Sequence, residues 1–177
     1  MAAQKRVGLI MVNTGNGKGK TTAALGTAMR AVGVGYKVFM VQFIKGSWDY
    51  GELHSVEKFK PDFEIKPMGE GFTWETKDKE RDTQVANAAW KFCKQLMEKN
   101  EHDLLIFDEI NNALDYGYLD VGDVVEALKN KPEAMHVILT GRGAPQELID
   151  IAHLVTEMRE IKHPFHQGIY AQKGIEF

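Results

Sequence analysis

A chain of 177 residues is long enough to bury a substantial core within one domain, and with 44% apolar and 27% charged residues its composition excludes intrinsic disorder. A formal net charge of -3 leaves no basic field for a nucleic acid backbone or an anionic membrane surface. The single cysteine, Cys93, excludes an intramolecular disulfide and any multi-cysteine metal site, which suits a reducing compartment and makes a cytoplasmic single domain over residues 1–177 the expectation.

Positive charge at Lys5 and Arg6 followed by the apolar run Val7 to Val12 faintly resembles a secretory leader. The run is too short for one and leads into a glycine and lysine loop instead of a cleavage site. Its β-branched and aliphatic residues instead predict a strand covered on both faces. Thr14 to Thr22 follows as a loop, and Thr21 to Val32 predicts a helix of small residues stopped by Gly33 and Gly35.

Val38 to Phe43 predicts a second buried strand, and Gly46 to Gly51 reads as a loop. Glu57 to Gly71 carries no assignable pattern. Between Asp82 and Lys99, residues Val85, Ala86, Ala89, Trp90, Cys93, Leu96 and Met97 fall on one helical face, which makes Cys93 a core thiol. Leu104 to Phe107 predicts a strand ending in Asp108-Glu109. Asp120 is placed to cap a helix with an apolar stripe at Val121, Val124, Val125 and Leu128. His136 to Leu139 predicts a further strand, Pro145 the first turn of a helix, and Val155 to Met158 a return to the sheet.

Alternating strands and helices imply parallel pairing, right-handed crossovers and ligands at the carboxyl ends of the strands. The expected fold is α/β, a P-loop NTPase-like (RecA-like) three-layer arrangement around a mainly parallel central sheet of five or six strands.

The segment Thr14-Gly15-Asn16-Gly17-Lys18-Gly19-Lys20-Thr21-Thr22 lies between a buried strand and a helix, where backbone N–H groups turn toward an anion. It reads as the triphosphate site of ATP, with Lys20 a mobile cation and the Thr21 hydroxyl a ligand for a phosphate-bound divalent ion, magnesium or manganese. The usual spacing G-x-x-x-x-G-K-[ST] would put a glycine where Thr14 stands, so counted from Gly15 the loop is one residue short. Asp108-Glu109 has the form of a Walker B segment, and either carboxylate is a candidate for that ion. Arg142, in Thr140-Gly141-Arg142-Gly143, is either an arginine aimed at the triphosphate or an exposed turn residue. Phe72 and Trp74 read as core anchors on composition alone. His163 and His166 lack a third ligand, so no zinc is assigned.

These segments, with Val41-Gln42-Phe43-Ile44-Lys45-Gly46, Gly51-Glu52, Gly71-Phe72-Thr73-Trp74 and Lys162-His163, resemble the P-loop type of ATP:corrinoid adenosyltransferase nearly end to end. The resemblance implies transfer of the 5'-deoxyadenosyl group of ATP to cobalt(I) of a corrinoid, with release of intact triphosphate. It implies that ATP lies reversed along the loop, so that Lys20, loop N–H groups and magnesium stabilise the leaving group, with Arg142, Lys45 and Glu52 as further candidates. Phe72 and Trp74 are then placed against the corrinoid, where they help displace the lower axial ligand of cobalt(II). Removing that donor raises a potential otherwise too low for biological reductants. A homodimer and a flavodoxin-like or other electron donor are also implied. Some family members carry a longer N-terminal arm over the active site. The alternatives are a P-loop ATPase or small-molecule kinase using Glu109 as base, and a module that binds ATP without turnover.

Overall fold

The structure, a computed structural model, describes residues 6–46, 49–71 and 78–176. In chain order it comprises β1 (Ile10–Thr14), α1 (Lys20–Gly33), β2 (Val38–Gln42), α2 (Gly51–Val56), β3 (Phe63–Pro67), α3 (Lys79–Lys99), β4 (Leu104–Asp108), α4 (Ile110–Asp115), α5 (Val121–Lys129), β5 (His136–Thr140), α6 (Gln146–Ile151) and β6 (Leu154–Glu157). Short 3-10 turns occupy Glu57–Phe59 and Pro164–Gln167.

The six strands form one sheet in the order β3-β2-β4-β5-β1-β6, and every pairing is parallel. The chain moves along the sheet in one direction from β1 to β3 and in the other from β3 to β6. Right-handed crossovers require those two sets of connections to cover opposite faces. The packing meets that requirement. Ala24, Ala28 and Ala31 of α1 and Val56 of α2 bury against Met40, Phe63, Leu104, Ile106 and Ile138 on one face. On the other, Ala89, Trp90, Cys93 and Met97 of α3, Val124 and Leu128 of α5 and Leu148 of α6 bury against Val12, Val41, Leu105, Phe107, Val137 and Leu139. Residues of β4 thus alternate between two cores, which is why it is apolar from Leu104 to Phe107.

Alanine spacing on α1 allows close approach of helix to sheet, and the Asp78 carboxylate caps α3 by accepting the Arg81 N–H. Asp120 caps α5 in the same way through Asp123. No helix among the described residues is long and apolar enough to cross a membrane.

Several boundaries differ from expectation. β1 begins at Ile10, because Val7 is 56% exposed and Gly8 lies against the Met135 backbone. Pro145 is the residue before the first turn of α6, not within it. The stretch without a pattern contains β3, an edge strand whose single buried face shows only as Phe63 and Ile65 alternating with Glu64 and Lys66. β6 forms the other edge and is exposed along its whole length.

Candidate phosphate-binding site

The carboxyl ends of β1, β4 and β5 converge on one point, and each delivers a polar group there. From β1 the chain enters the loop through buried Thr14, whose Oγ1 accepts the Ala144 N–H at 3.2 Å and so joins the loop to the segment after β5. Gly19 adopts φ 103° immediately before α1, a left-handed conformation that glycine reaches without strain. The Gly17 N–H donates to the Met158 carbonyl at 2.7 Å, so this loop amide points into the protein instead of toward a ligand.

Lys20 is buried and its Nζ donates to the carbonyls of Gly15 at 2.9 Å and Gly17 at 2.7 Å. Burial pushes its pKa down, Glu109 pulls it back up, and Arg142 and Lys18 lower it further. Lys18 is exposed and paired with Glu176, so the chain at Glu176 reaches the loop. Asn16 on the loop and Thr22 in the first turn of α1 are exposed.

Asp108, fully buried, organises the centre. Its Oδ1 accepts the hydroxyls of Thr21 at 2.8 Å and Thr140 at 2.7 Å, and its Oδ2 accepts Gln42 Nε2 at 3.3 Å. Glu109 takes φ 65° as the chain turns into α4, with its N–H donated to Thr140 Oγ1 at 2.9 Å. Burial, reinforced by the adjacent Asp108 charge, pushes the Glu109 carboxyl up to about 7, against the opposing pull of Lys20, Lys45 and Arg142. Lys45 and Glu52 form an ion pair, and Glu52 also accepts a longer bond from Gln42 Nε2 at 3.4 Å. Burial alone would raise the Glu52 pKa, but the hydrogen bond and charge of Lys45 hold it low.

Arg142 is exposed on the loop after β5, within electrostatic reach of Lys20 and Glu109. The structure therefore brings together Thr14, Lys20, Thr21, Asp108, Glu109 and Arg142. Phe72 and Trp74 lie outside the described residues. His163 and His166 serve local roles: His163 Nδ1 accepts the Phe165 N–H at 3.1 Å and His166 pairs with Glu160. Among the described residues no group of three or more His, Cys, Asp or Glu side chains is arranged to hold a metal on its own.

Gln42, Thr140, Asn111 and Asn112 join the site without having been expected there. The signal for the first two was available: each is a polar residue that ends an apolar strand, where burial demands a partner. For the asparagines only their position, one residue beyond the paired carboxylates, was suggestive.

The sequence profile of the family described as ATP:corrinoid adenosyltransferase BtuR/CobO/CobP matches residues 6–177. A corrinoid adenosyltransferase from Sinorhizobium sp is 50% identical over 172 residues, covering 96% of this chain and 80% of that protein. Those from Pseudomonas aeruginosa and Escherichia coli K12 are 46% and 44% identical over 175 residues, covering 99% of this chain and 86% and 88% of theirs. Among solved structures, the flagellar accessory protein FlaH from Methanocaldococcus jannaschii is similar in fold. It has a TM-score of 0.52 at 15% identity, over 85% of this chain and 70% of that one.

Proposed function

The chain belongs to the ATP:corrinoid adenosyltransferase family, and from that membership we propose how its residues transfer the 5'-deoxyadenosyl group of ATP to cobalt(I) of a corrinoid. The near full-length match to corrinoid adenosyltransferases carries the reading. Cobalt(I), the substrate's own metal, attacks C5' with its electron pair. The C5'–O bond breaks, and its electrons leave with the triphosphate.

The protein needs no side-chain nucleophile for this. Cys93 is buried in the core with its thiol pKa pushed well up, which suits a packing role. What is required is placement of C5' and stabilisation of charge on the departing triphosphate, supplied by Lys20, the remaining loop amides and Arg142.

A divalent ion, magnesium in this reading, would be held by Thr21 and Glu109 together with phosphate oxygens. Asp108 already accepts three protein hydrogen bonds, whereas Glu109 is a half-buried carboxyl whose charge a cation would relieve. The ion would supply further neutralisation of the triphosphate. Asp108 then acts by orienting Thr21.

The exposed edge of β6, with Ile161, Phe165, Tyr170 and Ile175 exposed beyond it, supports a homodimer built on that side. A flavodoxin-like electron donor and a cytoplasmic setting complete the reading.

One anaerobic experiment tests it. Protein, magnesium-ATP and chemically reduced cob(I)alamin should give a light-sensitive alkylcobalt spectrum and inorganic triphosphate. ADP and orthophosphate without an alkylcobalt product would overturn it in favour of an ATPase or kinase.

A further inference from the structure

Arg142 stands on a turn flanked by glycines, and an arginine on such a turn would wander unless something outside the turn held it. The helix that begins beside Glu109 does so. Asn112 Oδ1 accepts the Arg142 N–H at 2.6 Å, and Asn111, fully buried, donates Nδ2 to the Gly141 carbonyl at 3.3 Å. The fit is tight: a Cβ on Gly141 would lie 2.4 Å from Asn112 Oδ1, and one on Gly143 would lie 2.5 Å from the Asp115 carboxyl carbon. Gly141 also takes φ 127°, which L side chains rarely adopt.

We propose that Asn112 is a positioning residue for Arg142. The first turn of α4 follows directly from Glu109, whose own N–H is tied to Thr140 at the end of β5. One short helix thus sets the separation between Glu109 on one side of the site and Arg142 on the other. Preorganisation of that kind fixes the main chain from which the exposed Arg142 side chain extends, and it matters most where charge develops. The proposal rests on the reading that Arg142 receives the leaving triphosphate.

The test is a double-mutant cycle in the full chain with Asn112→Ala, Arg142→Ala and the pair. Two readouts are used: binding of inorganic triphosphate with magnesium, and kcat and KM with chemically reduced cob(I)alamin. Asn112→Ala should lower kcat and weaken triphosphate binding by about tenfold each while leaving the corrinoid KM in place. In the Arg142→Ala background it should add nothing. Asn112→Asp, which keeps the acceptor oxygen, should restore most of both losses.

Losses that multiply in the double variant would show a general structural role and overturn the proposal. So would unchanged behaviour of either single variant, or failure of Asn112→Asp to recover a correctly folded protein's activity. If the wild type forms no adenosylcorrinoid, the functional reading fails, and the triphosphate titration still decides whether Asn112 acts through Arg142.

Discussion

Thr21, on the first turn of α1, donates its hydroxyl to Asp108 Oδ1 across 2.8 Å, and so joins the phosphate loop to the end of β4. That oxygen also accepts Thr140, while Gln42 donates to the other. Replacing Asp108 by Ala removes the acceptor of buried Thr140 and half-buried Thr21, leaves Gln42 only its longer bond to Glu52, and should cost about 3 kcal/mol of stability. Asp108→Asn should cost less, about 1 kcal/mol, because among the described residues Gln42 Oε1 has no hydrogen-bond partner and a flipped amide would offer it to the new NH2 group, losing only the longer bond to Glu52. Equal urea midpoints for the two variants would count against this network.

Lys20 spends two of its donors on loop carbonyls, and triphosphate would draw the ammonium toward itself. Lys20→Ala should reduce transition-state stabilisation by about 3 kcal/mol, by analogy with the loss of an oxyanion donor. The measurement is kcat/KM for ATP with excess cob(I)alamin. Near-normal turnover would remove Lys20 from the mechanism.

Glu109 gives a pH prediction for the ligand-free chain. Its folded pKa, about 7, lies above the ordinary value of 4.5, so between those values the folded state binds more protons than the unfolded one. Stability therefore falls as pH rises through that window, by about 3 kcal/mol. Glu109→Gln should abolish this part of the decline in chemical denaturation series run from pH 5 to pH 8. It should also diminish the stabilisation that magnesium-ATP confers.

His136 works in the opposite sense. Its Nδ1 accepts the Leu9 N–H at 3.1 Å, which requires the neutral ring, and burial is the chief cause lowering its pKa from 6.5, with Arg6 and Lys131 adding to it. The folded state binds fewer protons than the unfolded one below pH 6.5, so stability is lost as pH falls from there through the folded pKa. His136→Gln should flatten that acid limb. An unchanged slope would assign the limb to other groups.

Phe72 and Trp74, if they displace the lower axial ligand of cobalt(II), act on reduction and not on alkyl transfer. Phe72→Ala or Trp74→Ala should slow adenosylation starting from cobalt(II) by tenfold or more, on the order expected for residues around a metal centre, and barely affect it from chemically prepared cobalt(I). Equal losses in the two assays would refute this division of labour.

The sequence by itself determined the elements whose signal is local. An apolar run before a glycine and lysine loop defined β1 and α1, four apolar residues before Asp108-Glu109 defined β4, and helical periodicity placed Cys93 in the core. Strand order, and everything that depends on it, came only from the tertiary structure. Thr21 and Asp108 stand 87 residues apart, Thr14 and Ala144 130 apart, and Asn112 and Arg142 30 apart. Such pairs meet because β1, β4 and β5 are close neighbours in the sheet, and no short-range periodicity encodes which strands are neighbours. For the same reason, residue type left Asp108 and Glu109 equivalent. They separated once the fold buried one among hydroxyl and amide donors and left the other half-buried beside it.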